Sequence, residues 1–120
     1  MIRRIDDLKV YKLSFDLAME VFMLTKKYPK EELYSLVDQI RRSSRSVPVN
    51  IREGFAKKEY KDVFIRHLID ALGSCEETRS WLDFSFRSEY IEEEKYNELS
   101  QQYDKISAML YKLIKNWRKF

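Results

Sequence analysis

Residues 96–120 read YNELSQQYDKISAMLYKLIKNWRKF, and within them Tyr96, Leu99, Tyr103, Ile106, Leu110, Leu113, Trp117 and Phe120 recur at spacings of 3-4-3-4-3-4-3. Residues spaced in this way share one face of an α-helix, and an unbroken alternation of three and four is the seam along which helices pack lengthwise in a bundle. The acidic run Glu92, Glu93, Glu94 just ahead of it complements the positive end of a helix dipole. A helix is therefore predicted over 92–120. It needs other helices to cover its seam.

Three more segments supply them. Phe64, Leu68, Ala71, Cys75, Thr78 and Leu82 line one face of a helix predicted over 60–87. Leu33, Leu36, Val37, Ile40, Val47, Ile51 and Phe55 do the same over 30–56. Pro48 falls inside that segment, where it removes a donor and crowds the preceding turn, so a kink or break is expected there. Gly54 and the polar KKEYKD after it read as the next turn. The first helix is predicted over 7–28 and ends at Pro29, because the residue before a proline avoids the α region. It carries two stripes, Leu8, Tyr11, Phe15, Ala18, Phe22 and Val10, Leu13, Leu17, Val21, Leu24. Together they span about 200° of the helix surface, roughly twice what a surface helix in a small monomer needs. Four long helices with short connections give an all-α, up-down-up-down antiparallel four-helix bundle filling one domain, residues 1–120.

Composition agrees. Glycine and proline number two each among 120 residues, too few for the turns of a sandwich, barrel or doubly wound sheet. Leu, Ile, Val and Phe total 34, enough for a core, while 36% charged residues cover a surface. No apolar stretch reaches the length of a membrane span, and MIRRIDDLKV has no apolar stretch of a signal peptide behind its basic residues, so a cytoplasmic location is expected.

Catalytic chemistry finds little to work with. Cys75 and His67 are each the sole residue of their kind, which excludes an intramolecular disulfide and a Cys/His zinc site within one chain. A di-iron bundle needs Glu-x-x-His on two helices, but three residues before His67 stands Phe64. His67 and Cys75 lie eight residues apart, about 12 Å along a helix, too far for a nucleophile and its base. Neighbouring carboxylates such as Glu76 and Glu77 point to different helix faces. We expect no enzyme, no catalytic residues, no metal and no cofactor.

Charge is more informative. Val37–Arg66 holds eight basic residues against four acids, while the rest of the chain sums to −1. If the second helix is continuous, Arg41, Arg45 and Arg52 fall within about 40° of one another. With Lys57, Lys58 and Lys61 they form a candidate phosphate-binding surface. The plainer reading pairs these arginines with acids on a neighbouring helix or subunit. Beside the apolar face of the same helix run Gln39, Ser43, Ser46, Asn50 and Glu53 at 4-3-4-3 spacing, a polar seam suited to fixing register at a buried interface. Gly73 weakens a helix by about 1 kcal/mol relative to alanine. It shares an outward face with Asp70 and Glu77, which suggests close approach of another chain or a ligand. Gly73, Glu77, Asn50 and Ser46 are the candidate interface residues.

The run from Gln39 to Gly54, QIRRSSRSVPVNIREG, resembles the signature of the 23S rRNA intervening-sequence protein family of bacterial four-helix bundles, roughly Q-x-R-R-A-x-x-S-I-P-x-N-I-A-E-G. The Gly73-Ser74 pair followed by Glu77 resembles its second motif, and Asp7–Tyr11, Tyr28-Pro29 and Tyr90-Ile91 also match, so the likeness covers about residues 5–115. The resemblance implies a ring-like homo-oligomer, a pentamer in relatives, encoded within insertions of large-subunit ribosomal RNA genes and associated with RNA binding. A related accessory protein of diversity-generating retroelements binds nucleic acid through a basic surface. Arg45 and Arg52 depart from the pattern, standing where the family is usually apolar and alanine. The expected partners are thus a second copy of the chain and RNA or another nucleic acid. The alternative is a ring that serves as a protein-protein adaptor.

Overall fold

A computed structural model of the chain describes residues 3–119. Four α-helices follow one another, α1 (Lys9–Thr25), α2 (Leu36–Ala56), α3 (Lys61–Arg87) and α4 (Glu93–Trp117), with single 3-10 turns at Ile5–Asp7 and Lys30–Glu32. No strand occurs among the described residues, and no helix among them is long and apolar enough to cross a membrane. Cross-helix pairs give the topology. On α2 and α3, Ser43 meets Thr78, Ser46 meets Ser74 and Asn50 meets His67, so the partner number falls as the helix rises. Likewise Tyr96 reaches Asp83 and Lys61 reaches Arg118 between α3 and α4, and Lys95 reaches Glu20 between α4 and α1. All neighbours are antiparallel, α4 closes back on α1, and the fold is an all-α four-helix bundle measuring 46 × 25 × 20 Å.

α3 and α4 bury the faces their periodicity predicts, and α2 buries its own except for Leu33, which precedes the helix and is exposed. Leu99, Tyr103, Ile106 and Leu110 of α4 are fully buried, and Trp117 packs edge-on against Phe64 of α3 at 4.7 Å. The buried seam ends on Ile114 rather than Leu113, because a strict 3-4 alternation drifts slowly around a helix of 3.6 residues per turn. Phe120, its predicted last member, lies outside the described residues.

Two expectations for α2 are corrected. It begins at Leu36, not Lys30, with Lys30–Glu32 forming a separate turn after Pro29. The Glu32 carboxylate takes the place of a cap: it accepts hydrogen bonds from the Ser35 hydroxyl and the Leu36 N–H, and from the Tyr90 hydroxyl at 2.7 Å. These bonds, Ser35's first and Tyr90's second, hold the Glu32 carboxyl below its ordinary range. At Pro48, where a kink or a break is expected, the helix does not break. The proline forfeits one hydrogen bond at a cost of about 3 kcal/mol. Ile40, Val47 and Ile51 are wholly buried on the same helix, and each contributes about 1.5–3 kcal/mol. Packing prevails over propensity.

The Tyr28-Pro29 and Tyr90-Ile91 dipeptides meet at one end of the bundle, their tyrosine rings 5.2 Å apart. Glu89 there takes a left-handed conformation (φ 63°), and the Tyr90 N–H donates to the Ser85 carbonyl at 2.9 Å, a Schellman ending for α3. Cys75 is fully buried, its thiol 3.3 Å from the Tyr103 carbonyl and 3.2 Å from the Ser107 hydroxyl. Burial pushes the thiol up to about 11. We expect a thiol reagent at neutral pH to modify Cys75 only as fast as the bundle opens globally, and modification of the native protein within minutes would contradict this placement.

Candidate nucleic-acid interface

The three predicted arginines of α2 do form one stripe, but all of them lean on α1. Arg41 is half-buried. Its Nε donates to the Thr25 hydroxyl at 2.9 Å, its Nη2 reaches the Phe22 carbonyl at 3.5 Å, and its guanidinium lies 4.6 Å from the Phe22 ring centre. It is thus occupied with the negative end of α1, where a cation is favourable. Arg45 is exposed and sits 5.4 Å from the same ring. Arg52 is exposed and donates to the Tyr11 hydroxyl at 3.2 Å. Among the described residues no acid pairs with Arg41, Arg42, Arg45 or Arg52. Intrachain ion pairing therefore does not account for the stripe.

Between Arg45 and Arg52 opens a groove of about 540 Å³, walled by Tyr11, Phe15 and Met19 of α1 and by Pro48, Val49 and Ala56 of α2. Phe15, Met19 and Val49 remain 47%, 50% and 53% exposed. Here the excess apolar width of α1 finds its place: Val10, Leu17 and Val21 face the core, and the Phe15 side of the helix is left over.

The polar seam of α2 is an internal feature. Thr78 donates to Ser43 at 2.8 Å and to the Ser74 carbonyl at 2.9 Å. Ser74 and Ser46 share a hydrogen bond of 2.8 Å, the Asn50 amide donates to Ser46 at 3.0 Å, and Asn50 Oδ1 lies 3.2 Å from His67 Nδ1. Ser46 and Asn50, predicted at an interface, thus join α2 to α3 within the chain. Gln39 and Glu53 stay exposed outside this network. One residue of this α2–α3 contact escaped the sequence reading. Gly54 is buried within α2, and a Cβ there would lie 2.5 Å from the His67 Cβ and 3.0 Å from Phe64 Cδ1. Its position one turn beyond Asn50 was the available signal. Gly73 is the opposite: exposed, with no atom within 4 Å of where its Cβ would stand. Glu77 is exposed beside it and accepts from the Trp81 indole at 3.0 Å.

The lysines lie elsewhere, at the end of the bundle where α2 turns into α3. Lys57 is exposed, Lys58 rests 4.3 Å from the Phe55 ring centre, and Lys61 donates to the Arg118 carbonyl at 2.8 Å. That last bond ties the turn to the end of α4. The start of α1 arrives at the same pole, through Tyr11 against Arg52 and through Asp7, Leu8 and Val10 beside Leu113 and Asn116. Residues 3–12, 52–66 and 112–119 together hold thirteen Lys and Arg against five Asp and Glu. Their net charge is +8 in a chain whose total is +3, leaving −5 for everything else. Exposed Lys112, Lys115 and Lys119 belong to this pole, and no window along the sequence pools them with Lys57 and Lys58.

Comparison with known proteins adds two findings. The model of the family described as 23S rRNA-intervening sequence protein matches residues 6–112. The chain is also similar to the crystal structure of a protein of unknown function from the S23 ribosomal protein family of Bacteroides thetaiotaomicron. The two are 31% identical with a TM-score of 0.82, over 93% of this chain and 99% of that one. No curated protein matches.

Proposed function

The chain belongs to the 23S rRNA-intervening sequence protein family, and from that premise we propose that it is a self-associating, non-enzymatic bundle that holds RNA by its phosphates at the basic pole. The observation that carries this reading is the separation of charge along the bundle, +8 at one end and −5 over the remainder. A pole of that sign concentrates polyanions and releases their counterions on contact. Lysine heads act there as point charges toward phosphate oxygens. Of the predicted set, Arg52, Lys57, Lys58 and Lys61 stand at the pole. Arg41 and Arg45 do not: the first is folded onto α1 and the second flanks the groove.

Phosphate contacts position a nucleic acid without reading its bases, so binding is indifferent to sequence. The non-enzymatic part rests on the two most reactive side chains being engaged in packing, Cys75 in the core and His67 with Asn50. One observation favours a second reading, an adaptor for another protein: the apolar groove beside Phe15 and Val49. Salt separates the two. In a titration of fluorescent single-stranded RNA followed by anisotropy, we expect tight binding at low salt for unrelated sequences. The logarithm of the affinity should fall with the logarithm of salt by about 0.7 for each phosphate engaged. Absence of binding at low salt, or an affinity that ignores salt, overturns the RNA reading in favour of the adaptor.

A further inference from the structure

The groove and the open glycine face lie on different sides of the bundle, one between α1 and α2, the other outward on α3. We propose that the groove of one copy receives the α3 face of the next copy, with Arg45 against Glu77, Arg52 against Asp70, and Gly73 seated on Val49. The proposal rests on the self-association reading and says which surfaces perform it.

Three observations converge on this pairing. The first is charge. Arg45, Arg52 and Glu53 border the groove, the two arginines without an acidic partner among the described residues. The α3 face presents Glu77, Asp70 and Arg66 in the complementary order, all exposed. Arg45 to Arg52 and Asp70 to Glu77 are each seven residues, about 10.5 Å of helix, so both pairs form at once on antiparallel helices.

The second is shape. The middle of the α3 face is Gly73, where a neighbouring helix meets no side chain, and next to it Ile69 is 45% exposed. The middle of the groove is Val49 with Phe15 and Met19 beside it, the surface that α1 cannot bury in its own bundle.

The third is register. Inside one bundle, residues of α2 and α3 at equal height include Ser43 with Thr78 and Ser46 with Ser74. The proposed pairs, Arg45 with Glu77 and Arg52 with Asp70, stand at nearly the same levels. Successive copies therefore do not climb along the bundle axis, as a closed ring of head-to-tail contacts requires. Every copy points the same way in such a ring, so all basic poles gather on one rim.

Charge reversal tests the pairing, with light scattering for mass and circular dichroism for helix content. The parent is expected as a multiple of 14.6 kDa. Arg45→Glu with Arg52→Glu should reduce it to the 14.6 kDa of one chain, as should Asp70→Arg with Glu77→Arg, both at unchanged helix content. All four changes together should restore the parental mass. A parent that is itself 14.6 kDa defeats self-association altogether. An assembled parent whose reversed variants stay assembled, or whose fourfold variant does not reassemble, leaves self-association standing and defeats this pairing.

Discussion

Gly54→Ala is expected to lower the thermal midpoint by about 4–8 °C, and Gly54→Leu to leave no cooperatively folded bundle. The reason is the contact between α2 and α3. A methyl group at Gly54 would stand 2.5 Å from the Cβ of His67, an atom fixed to its helix backbone that no rotamer change can move. The helices must part instead. That opens the hydrogen-bonded chain Thr78–Ser43 and Ser74–Ser46–Asn50–His67 along the same seam. Overpacking of this kind costs about 1–3 kcal/mol and occasionally more. The gain in helix propensity from removing a glycine, about 1 kcal/mol, offsets only part of it. Leucine adds three further heavy atoms at the tightest point of the molecule, against a total stability of about 5–15 kcal/mol. Thermal unfolding followed by circular dichroism decides the matter. An unchanged or raised midpoint for Gly54→Ala would show that the close approach is not as tight as described.

Gly73→Leu should behave in the opposite manner. No atom lies within 4 Å of a Cβ at that position, so the single bundle gains about 1 kcal/mol of helix propensity and loses nothing. What it should lose is assembly. A leucine side chain at the centre of the α3 face holds the neighbouring helix away from Val49 and separates both charge pairs. The expected product is a 14.6 kDa species of undiminished helix content, with a midpoint no lower than that of the dissociated parent. An intact oligomer of raised stability would mean that Gly73 is an ordinary surface glycine and that the assembly uses another face.

These two glycines mark how far the sequence can be read. Periodicity found the four helices and most of their buried faces, because a 3-4 spacing is local and depends on nothing beyond the helix itself. It placed Gly73 outward for the same reason. It misread Gly54 as part of a turn, since glycine beside KKEYKD signals a loop unless the partner helix is known. The start of α2 was illegible from nearby residues alone: Glu32 is held by Tyr90, 58 positions away. Pro48 argued for a kink or a break, and the burial of Ile40, Val47 and Ile51 on the same helix outweighs the break.

The candidate site was legible in part. Wheel angles align Arg41, Arg45 and Arg52, but the inward turn of Arg41 depends on Thr25 and Phe22 of another helix. The polar seam was visible as Ser43, Ser46 and Asn50, and its partners Thr78, Ser74 and His67 were not. The basic pole escaped altogether. Charge counted in a window sees chain neighbours, whereas the antiparallel order brings together the start of α1, the α2–α3 turn and the end of α4.

The pole is the centre of this account, and the salt dependence of RNA affinity tests it most directly. The measurement compares the parent with a variant carrying Lys57→Gln, Lys58→Gln, Lys112→Gln, Lys115→Gln and Lys119→Gln, once both are shown to have the same assembled mass. Glutamine keeps a hydrogen-bonding head and removes the charge. The predicted result is weaker binding to every single-stranded RNA, by about 100-fold or more at low salt. The log–log salt slope should be shallower by about 0.7 for each phosphate contact removed. Equal affinity and an equal slope for parent and variant would contradict the account and remove the pole from the RNA-binding surface.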